Sequence, residues 1–160
     1  MRLIALFFLP LTLVIANAPG AHGQGTTETM AAVSGAALVW NDISIPGFAP
    51  GVRLAAIHGN PDSAEAYALR LSFPDGYRFP PHWHPMAENV TVLEGTLLLA
   101  MGDRVQASGV EKSYGVGDYL YLPATQPHYG GARGRTVLQL HGMGPFVINL
   151  ASPAATPARQ

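Results

Sequence analysis

Alternation of apolar and polar positions is the clearest pattern along this chain. In residues 67–73, Tyr67, Leu69, Leu71 and Phe73 share one parity, with smaller or polar residues between them. Successive side chains of a strand point to opposite faces, so this pattern predicts a strand with one buried face. Three further segments have a strand-like composition, at residues 90–101, 119–122 and 137–141.

Turn-forming residues recur between these segments at intervals typical of β-sandwiches and barrels. They include Pro74-Asp75-Gly76 and Gly130-Gly131, and Glu94-Gly95 is expected to close a hairpin within residues 90–101. Beyond the first stretch of the chain, no window shows a helical period over about 12 residues. The pattern therefore predicts an all-β, antiparallel, single-domain fold that is closed or sandwich-like.

The first stretch is predicted to be a leader rather than part of the fold. Residues 3–15 are almost wholly apolar, follow Met1-Arg2 and precede a run of small residues. The apolar run is too short for a membrane-spanning helix of about 20 residues, and the layout is typical of a secretory signal peptide. We therefore expect a periplasmic or secreted protein; the alternative is an uncleaved membrane anchor. The predicted organisation is a signal peptide at 1–23, a flexible lead-in at 24–38, a barrel at 39–150 and a disordered tail at 151–160.

Composition excludes several classes of protein. Only 12 % of the 160 residues are charged, and the formal net charge is −1, so a basic surface for nucleic acid is not expected. The apolar fraction of 48 % is too high for a disordered chain. The chain has no cysteine, which excludes disulfides, thiolate metal ligands and a thiol nucleophile.

Histidines supply the candidate chemistry. His82 and His84 are separated by one residue, so on a strand both imidazoles lie on the same face, and Glu88 follows at the same parity. Imidazole ligands suit Zn, Cu, Fe and Ni, and an added carboxylate also admits Mn. The alternative is an exposed polar loop with chance histidines. Because the chain has so few charged residues, we favour a metal site.

The same stretch resembles the first sequence motif of the cupin superfamily. Residues 76–95 read Gly-x5-His-x-His-x3-Glu-x6-Gly, and every fixed position of that motif is present. The resemblance implies a double-stranded β-helix, a jelly-roll-like barrel with its metal inside.

The second cupin motif is matched less fully. The stretch from Gly117 to Ala132 matches at Gly117, Pro123 and His128. It departs at Thr125, where the family usually has Gly, and at Ala132, where it usually has Asn. These departures concern a turn and a peripheral position, so they weaken the subfamily assignment more than the fold.

The resemblance implies four metal ligands, namely His82, His84, Glu88 and His128. The cofactor would be one divalent metal ion: Fe, Mn, Ni, Zn or Cu. Four ligands leave two octahedral positions open, whereas a structural zinc site is closed and tetrahedral. Single-barrel cupins often pair through edge strands, so the resemblance also suggests a homodimer.

An open site of this kind favours a metal-dependent enzyme acting on a small molecule. Dioxygenase chemistry is the leading form, with isomerisation or hydrolysis as the others. The alternative is a noncatalytic, metal-stabilised module that binds or senses a small ligand, because one fold serves many functions. No nucleic acid partner is expected, and no membrane partner after leader cleavage.

Three further residues are candidates if their faces look into the barrel. His141 would be a catalytic acid or base, and Gln139 and Arg70 would bind substrate. The alternative is that they face solvent at strand ends or on the outer face. Metal binding is expected to weaken as pH falls through about 6, because imidazole must be neutral to bind a metal.

Overall fold

The computed structural model describes residues 30–107 and 110–151. In this part of the chain there are nine strands and one short 3-10 helix at Gly35–Ala37. The strands are β1 (Asn41–Asp42), β2 (Arg53–His58), β3 (Ala66–Phe73), β4 (Arg78–Trp83), β5 (Glu88–Met101), β6 (Lys112–Tyr114), β7 (Tyr119–Leu122), β8 (His128–Met143) and β9 (Asn149–Leu150). The predicted all-β barrel is confirmed.

Some predictions of domain organisation fall outside these residues. The signal peptide at 1–23, much of the lead-in and nearly all of the tail are among them. The described strands extend from Asn41 to Leu150. No helix in residues 30–107 or 110–151 has the length and hydrophobicity that a membrane span requires.

The strands form one curled antiparallel sheet built around β5 and β8. These two long strands pair from Asn89↔His141 to Met101↔His128. On its other edge, β8 pairs with β4 near its start and with β3 over residues 136–143. β2 and β1 extend the sheet beyond β3, β9 lies on β4, and β6 and β7 lie on β5. Because β8 pairs with β5 on one edge and with β3 and β4 on the other, it joins all the strands into a barrel.

The concave face of this sheet encloses the core. Its members are buried apolar side chains, and the alternation predicted for β3 is seen there: Leu69, Leu71 and Phe73 are buried. Their partners in the core include Val90, Val92, Leu97, Leu99, Leu120, Leu122, Leu138 and Leu140. Burial of this apolar surface is the main force that holds the barrel closed.

Two predicted turns are wrong, and both involve glycine. Gly95 lies within β5, where its φ is 72° and an added Cβ would collide with the carbonyl oxygen of Arg135. Gly130 lies within β8, where an added Cβ would collide with the carbonyl oxygen of Leu98. Glycine is required at both positions because two backbones approach closely, a condition that sequence does not distinguish from a turn.

Candidate metal centre

Three histidines meet inside the barrel. His82 lies in β4, His84 follows that strand, and His128 begins β8. Because β4 and β8 pair at His82↔His128, residues far apart in the chain become neighbours. One ring nitrogen from each of the three lies within 4.8 Å of the others, and all three side chains are buried. Three imidazoles so placed could hold a metal ion.

Backbone carbonyl oxygens fix the orientation of each ring. The Nδ1 atoms lie 2.8 Å from Pro80 O for His82, 2.8 Å from Val147 O for His84 and 3.2 Å from Gln126 O for His128. A carbonyl oxygen only accepts hydrogen bonds, so each Nδ1 carries the proton and donates it. Each Nε2 therefore keeps its lone pair, which is the form that binds a metal.

Glu88 completes the cluster from the first residue of β5. Its Oε2 lies 3.6 Å from His84 Nε2 and 4.0 Å from His128 Nε2. The side chain is buried. It is the fourth residue of the predicted ligand set, and the structure brings all four together. Their action as metal ligands stays a proposal.

Burial shifts the pKa of every group in the cluster in the direction that favours the neutral form of that group. Desolvation is the largest cause in each case, and it lowers the pKa of His82 to about 3 and of His84 to about 4. It also lowers the pKa of His128, and it raises the pKa of Glu88 to about 8. Without metal at pH 7, the site therefore holds three neutral imidazoles and a protonated carboxyl.

This donor set fits a divalent cation. Neutral imidazoles are ready to bind, and a cation in place of the Glu88 proton would leave the carboxylate charge compensated. The hydrogen bonds at Nδ1 are the usual support for metal-binding histidines. Imidazole with carboxylate suits Fe, Mn, Ni, Zn and Cu.

The cluster opens onto a cavity of about 50 Å³. Among the described residues that line it, the only polar side chains are the four candidate ligands. The apolar lining comes from the barrel strands and from two irregular segments: Ile45, Phe48, Leu71, Phe73, Phe79, Val90, Leu97, Leu99, Leu122, Leu138, Leu140, Phe146 and Ile148. A metal bound here would therefore have largely apolar surroundings, which lower the local dielectric constant.

His141, Gln139 and Arg70 do not reach this cavity, so the expectation that they approach the metal pocket is wrong. Leu138 and Leu140 take the inward positions of β8, which turns Gln139 and His141 to the outer face. His141 is exposed. Arg70 Nε donates to Gln139 Oε1 at 3.2 Å, across the paired strands β3 and β8.

Two irregular segments contribute to the site, and sequence analysis missed them. Phe146 stacks on His84 at a ring-centroid distance of 5.0 Å, and Val147 supplies the carbonyl for the same histidine. Phe48 packs edge-on against His82 at 5.1 Å. Neither segment has a periodic pattern, because each contributes apolar contacts and carbonyl groups that carry no sequence signal.

The two departures from the second cupin motif have different consequences. Thr125 has a φ of 62°, in the left-handed region that strains a β-branched residue. Its N–H donates to the His84 carbonyl oxygen at 2.8 Å, so this turn supports a candidate ligand. Ala132 is buried opposite Leu97 and does not line the cavity.

Comparison with known proteins agrees with the fold and the motifs. A family model described as a cupin domain matches residues 69–143. The chain belongs to the cupin superfamily. A search of curated proteins finds no match.

Solved cupin structures show the same fold at low sequence identity. The polyketide cyclase RemF from Streptomyces resistomycificus is 20 % identical with a TM-score of 0.62, over 81 % of this chain and 90 % of that one. A proposed acetylacetone dioxygenase from Methylibium petroleiphilum is 19 % identical with a TM-score of 0.59, over 81 % and 89 %. An RmlC-like cupin from Shewanella frigidimarina is 20 % identical with a TM-score of 0.54, over 77 % and 93 %.

Proposed function

We propose that this cupin is an exported, metal-dependent enzyme that acts on a small molecule, with dioxygenase-type chemistry as its leading form. The observation that carries the proposal is the cluster of three Nε2 lone pairs with one carboxylate in an apolar cavity. The ligands are His82, His84, Glu88 and His128. When bound, the divalent ion supplies a Lewis acid for substrate and, if redox-active, electron transfer with dioxygen.

The surrounding residues prepare the site for that ion. The Nδ1 hydrogen bonds hold the imidazoles with their lone pairs turned to a common point, so little reorganisation is needed on binding. Glu88 gives up its proton when the cation binds, since its raised pKa keeps it protonated at neutral pH without metal. The apolar lining lowers the local dielectric constant and so strengthens each electrostatic interaction inside.

The content of the cavity favours dioxygenase over isomerase or hydrolase chemistry. Isomerisation and hydrolysis commonly use a side chain that moves a proton at the reacting atom. Among the described residues, no titratable side chain other than the four candidate ligands lines the cavity. Dioxygen chemistry uses the metal to bind and activate dioxygen, so it relies less on a separate side-chain acid or base.

Similar structures are compatible with an enzyme. One is named as a polyketide cyclase and another as a proposed acetylacetone dioxygenase. At 20 % and 19 % identity they support the fold and no particular reaction.

The alternative is a noncatalytic, metal-stabilised module that binds or senses a small ligand. A cavity of about 50 Å³, far below the usual range of roughly 300–1,000 Å³ for ligand pockets, limits either function to a very small ligand. Export and a homodimer remain parts of the proposal that rest on the sequence and on the cupin resemblance.

Metal analysis and oxygen uptake test the proposal together. The purified protein should contain close to one divalent ion per chain, and a His82→Ala/His84→Ala double variant should contain none. With iron loaded, oxygen uptake that depends on an added phenol or thiol would support the enzyme. A metal spectrum that no added ligand perturbs would contradict the enzyme and favour the noncatalytic module. Mass spectrometry of the mature protein tests export through loss of residues 1–23.

A further inference from the structure

We propose that the centre takes a small molecule with one anionic donor atom for the metal and an uncharged, apolar tail of about two carbons. This substrate class rests on the proposed metal centre and is argued from the cavity beside it.

The positions of the polar side chains in the cavity lining determine the chemistry of the tail. In residues 30–107 and 110–151, the four candidate ligands are the only polar side chains of the cavity lining, and the other lining residues are aliphatic or aromatic. A hydroxyl, amide or carboxylate on a ligand tail would find no side-chain partner in that lining. Burying such a group unpaired is unfavourable. The cavity therefore selects for a tail of carbon and hydrogen.

The basic residues in the described part of the chain are also placed to exclude a charged tail. Each arginine there has a partner other than the cavity: Arg53 with Asp42, Arg70 with Gln139, Arg78 with Glu111, Arg104 with Asp103, Arg133 with Ser113 and Arg135 with Glu94. Lys112 is exposed. None of these described cationic side chains lines the cavity to meet a second anionic group of a substrate.

Charge at the metal sets the head group. A divalent ion, three neutral imidazoles and one carboxylate leave a net charge of +1, since each imidazole carries its one proton on Nδ1, where it is donated to a backbone carbonyl oxygen. One anionic oxygen or sulfur donor neutralises this charge. A second negative charge would be buried without a partner, which weakens binding by about 100-fold or more.

The volume of the cavity sets the length of the tail. A space of about 50 Å³ holds about four water-sized groups, because each occupies roughly 10–15 Å³ by this measure. The metal ion and its donor atom would take about two of these places, which leaves room for about two carbons. Within that length, each added methylene should strengthen binding by about fourfold. A longer tail would press on Phe79, Leu71 and their neighbours, and affinity should then fall.

The test uses the full chain loaded with Co(II), whose visible absorption reports an added thiolate. The first pair of probes is 1-propanethiol and 3-mercaptopropionate, which share the sulfur donor and differ in whether the tail ends in an apolar methyl group or a carboxylate. We expect 1-propanethiol to bind at least about 100-fold more tightly. The second series runs from methanethiol to 1-hexanethiol, with affinity rising to the ethyl compound and then falling.

Two variants locate the tail. Leu71→Ala enlarges the cavity and should move the preferred thiol to a longer chain. Arg70→Ala changes the neighbouring residue of the same strand on the outer face, and should leave the preference unchanged. The thiol series on the unaltered protein keeps the proposal testable if Leu71→Ala does not fold.

The outcomes separate this proposal from the one on which it rests. If Co(II) does not bind, or still binds fully to the His82→Ala/His84→Ala variant, the metal centre is wrong and this substrate class is wrong with it. If Co(II) binds as expected but both thiols bind equally, or affinity keeps rising to the hexyl compound, the metal centre stands. In that case only the apolar tail is overturned.

Discussion

The two ends of β8 carry one histidine each, and their surroundings are opposite. His128, at the start of the strand, is 3 % exposed and belongs to the candidate metal cluster. His141, near the end, is exposed on the outer face beside Asn89, whose side-chain amide donates to its carbonyl oxygen at 3.0 Å. The same residue type on the same strand is thus a candidate ligand at one end and a surface residue at the other.

The difference between the two histidines follows from the alternation of inward and outward side chains along β8. The β8 side chains that line the cavity are His128, Leu138 and Leu140, all at even-numbered positions, whereas His141 is odd. The parity holds along β8 even though its register against β5 shifts near Val92 and again near Glu94. Because His141 has the opposite parity to the neighbouring cavity residues Leu138 and Leu140, it faces out.

The largest expected effect contrasts these two histidines directly. His128→Ala removes one of four candidate ligands and should weaken divalent metal binding by more than about 1,000-fold, or about 4 kcal/mol. His141→Ala should leave metal affinity within about twofold. Chelator competition with Zn(II) measures both, and comparable losses in the two variants would contradict the assignment of inner and outer faces.

The next contrast uses neighbouring residues near the end of β8. Leu138→Ala removes a buried side chain from the cavity wall and should lower the free energy of unfolding by about 3 kcal/mol. Gln139→Ala, on the outer face, should change it by less than about 0.5 kcal/mol. Urea denaturation of the metal-free proteins measures the difference. Equal effects would mean that β8 does not present residue 138 to the core.

Strands β3, β5 and β8 show how much of the fold and of the candidate site the sequence predicts. Alternation in β3 and the two motifs are local signals, and they predicted the barrel and the four clustered residues. A turn at Gly130-Gly131 would place His128 and residues 137–141 on different strands, so the faces of their side chains could not be related by alternation. That error led to the wrong placement of His141 and Gln139.

β5 shows a limit that no parity argument removes. Its cavity-lining residues are Glu88 and Val90 before the irregularity at Gly95, and Leu97 and Leu99 after it. The parity therefore switches within one strand, because a bulge adds a residue. The contribution of Phe146 and Val147 is equally hidden, since it depends on how an irregular segment folds back over His84.

A third expectation concerns pH and distinguishes Glu88 from the histidines. His82 and His84, with pKa values lowered to about 3 and 4, stay neutral above pH 5, whereas Glu88, raised to about 8, keeps its proton until metal displaces it. Metal affinity should therefore rise about tenfold per pH unit between about 5 and 7 and level off above 8. Calorimetry in two buffers should detect release of about one proton per Zn(II) at pH 7.

This result would replace the expectation that histidine protonation near pH 6 controls binding. A step of two or three protons centred at pH 6 would instead show that the imidazoles keep their ordinary pKa values. A Glu88→Gln variant is the matched control, because its affinity should lose the dependence between pH 5 and 7.

The same pKa values set the pH at which the metal-free protein is most stable. The pKa of Glu88 is raised from 4.5. Its contribution to the stability of the folded state is therefore full below pH 4.5 and is lost as pH rises to about 8. The pKa values of the three histidines are lowered from 6.5. Their contribution to the stability of the folded state is therefore full above pH 6.5 and is lost as pH falls. Thermal unfolding in EDTA should give a maximum near pH 6.5.

The smallest expected effect lies at the departure from the second motif. Thr125→Gly relieves a β-branched residue at a φ of 62° and should raise the free energy of unfolding by about 1 kcal/mol. The adjacent Ala124→Gly has no such strain to relieve and should lower it by about 0.5 kcal/mol. Urea denaturation decides; a Thr125→Gly variant less stable than the parent would contradict the strain.

The central claim is that four side chains from separate stretches of the chain bind one cation inside the barrel. Anomalous diffraction from a crystal of the Zn(II)-loaded protein tests it most directly. The account predicts one peak at about 2.0–2.2 Å from Nε2 of His82, His84 and His128 and from a carboxylate oxygen of Glu88. A peak elsewhere, or a zinc ion bound through Nδ1 or without Glu88, would contradict it.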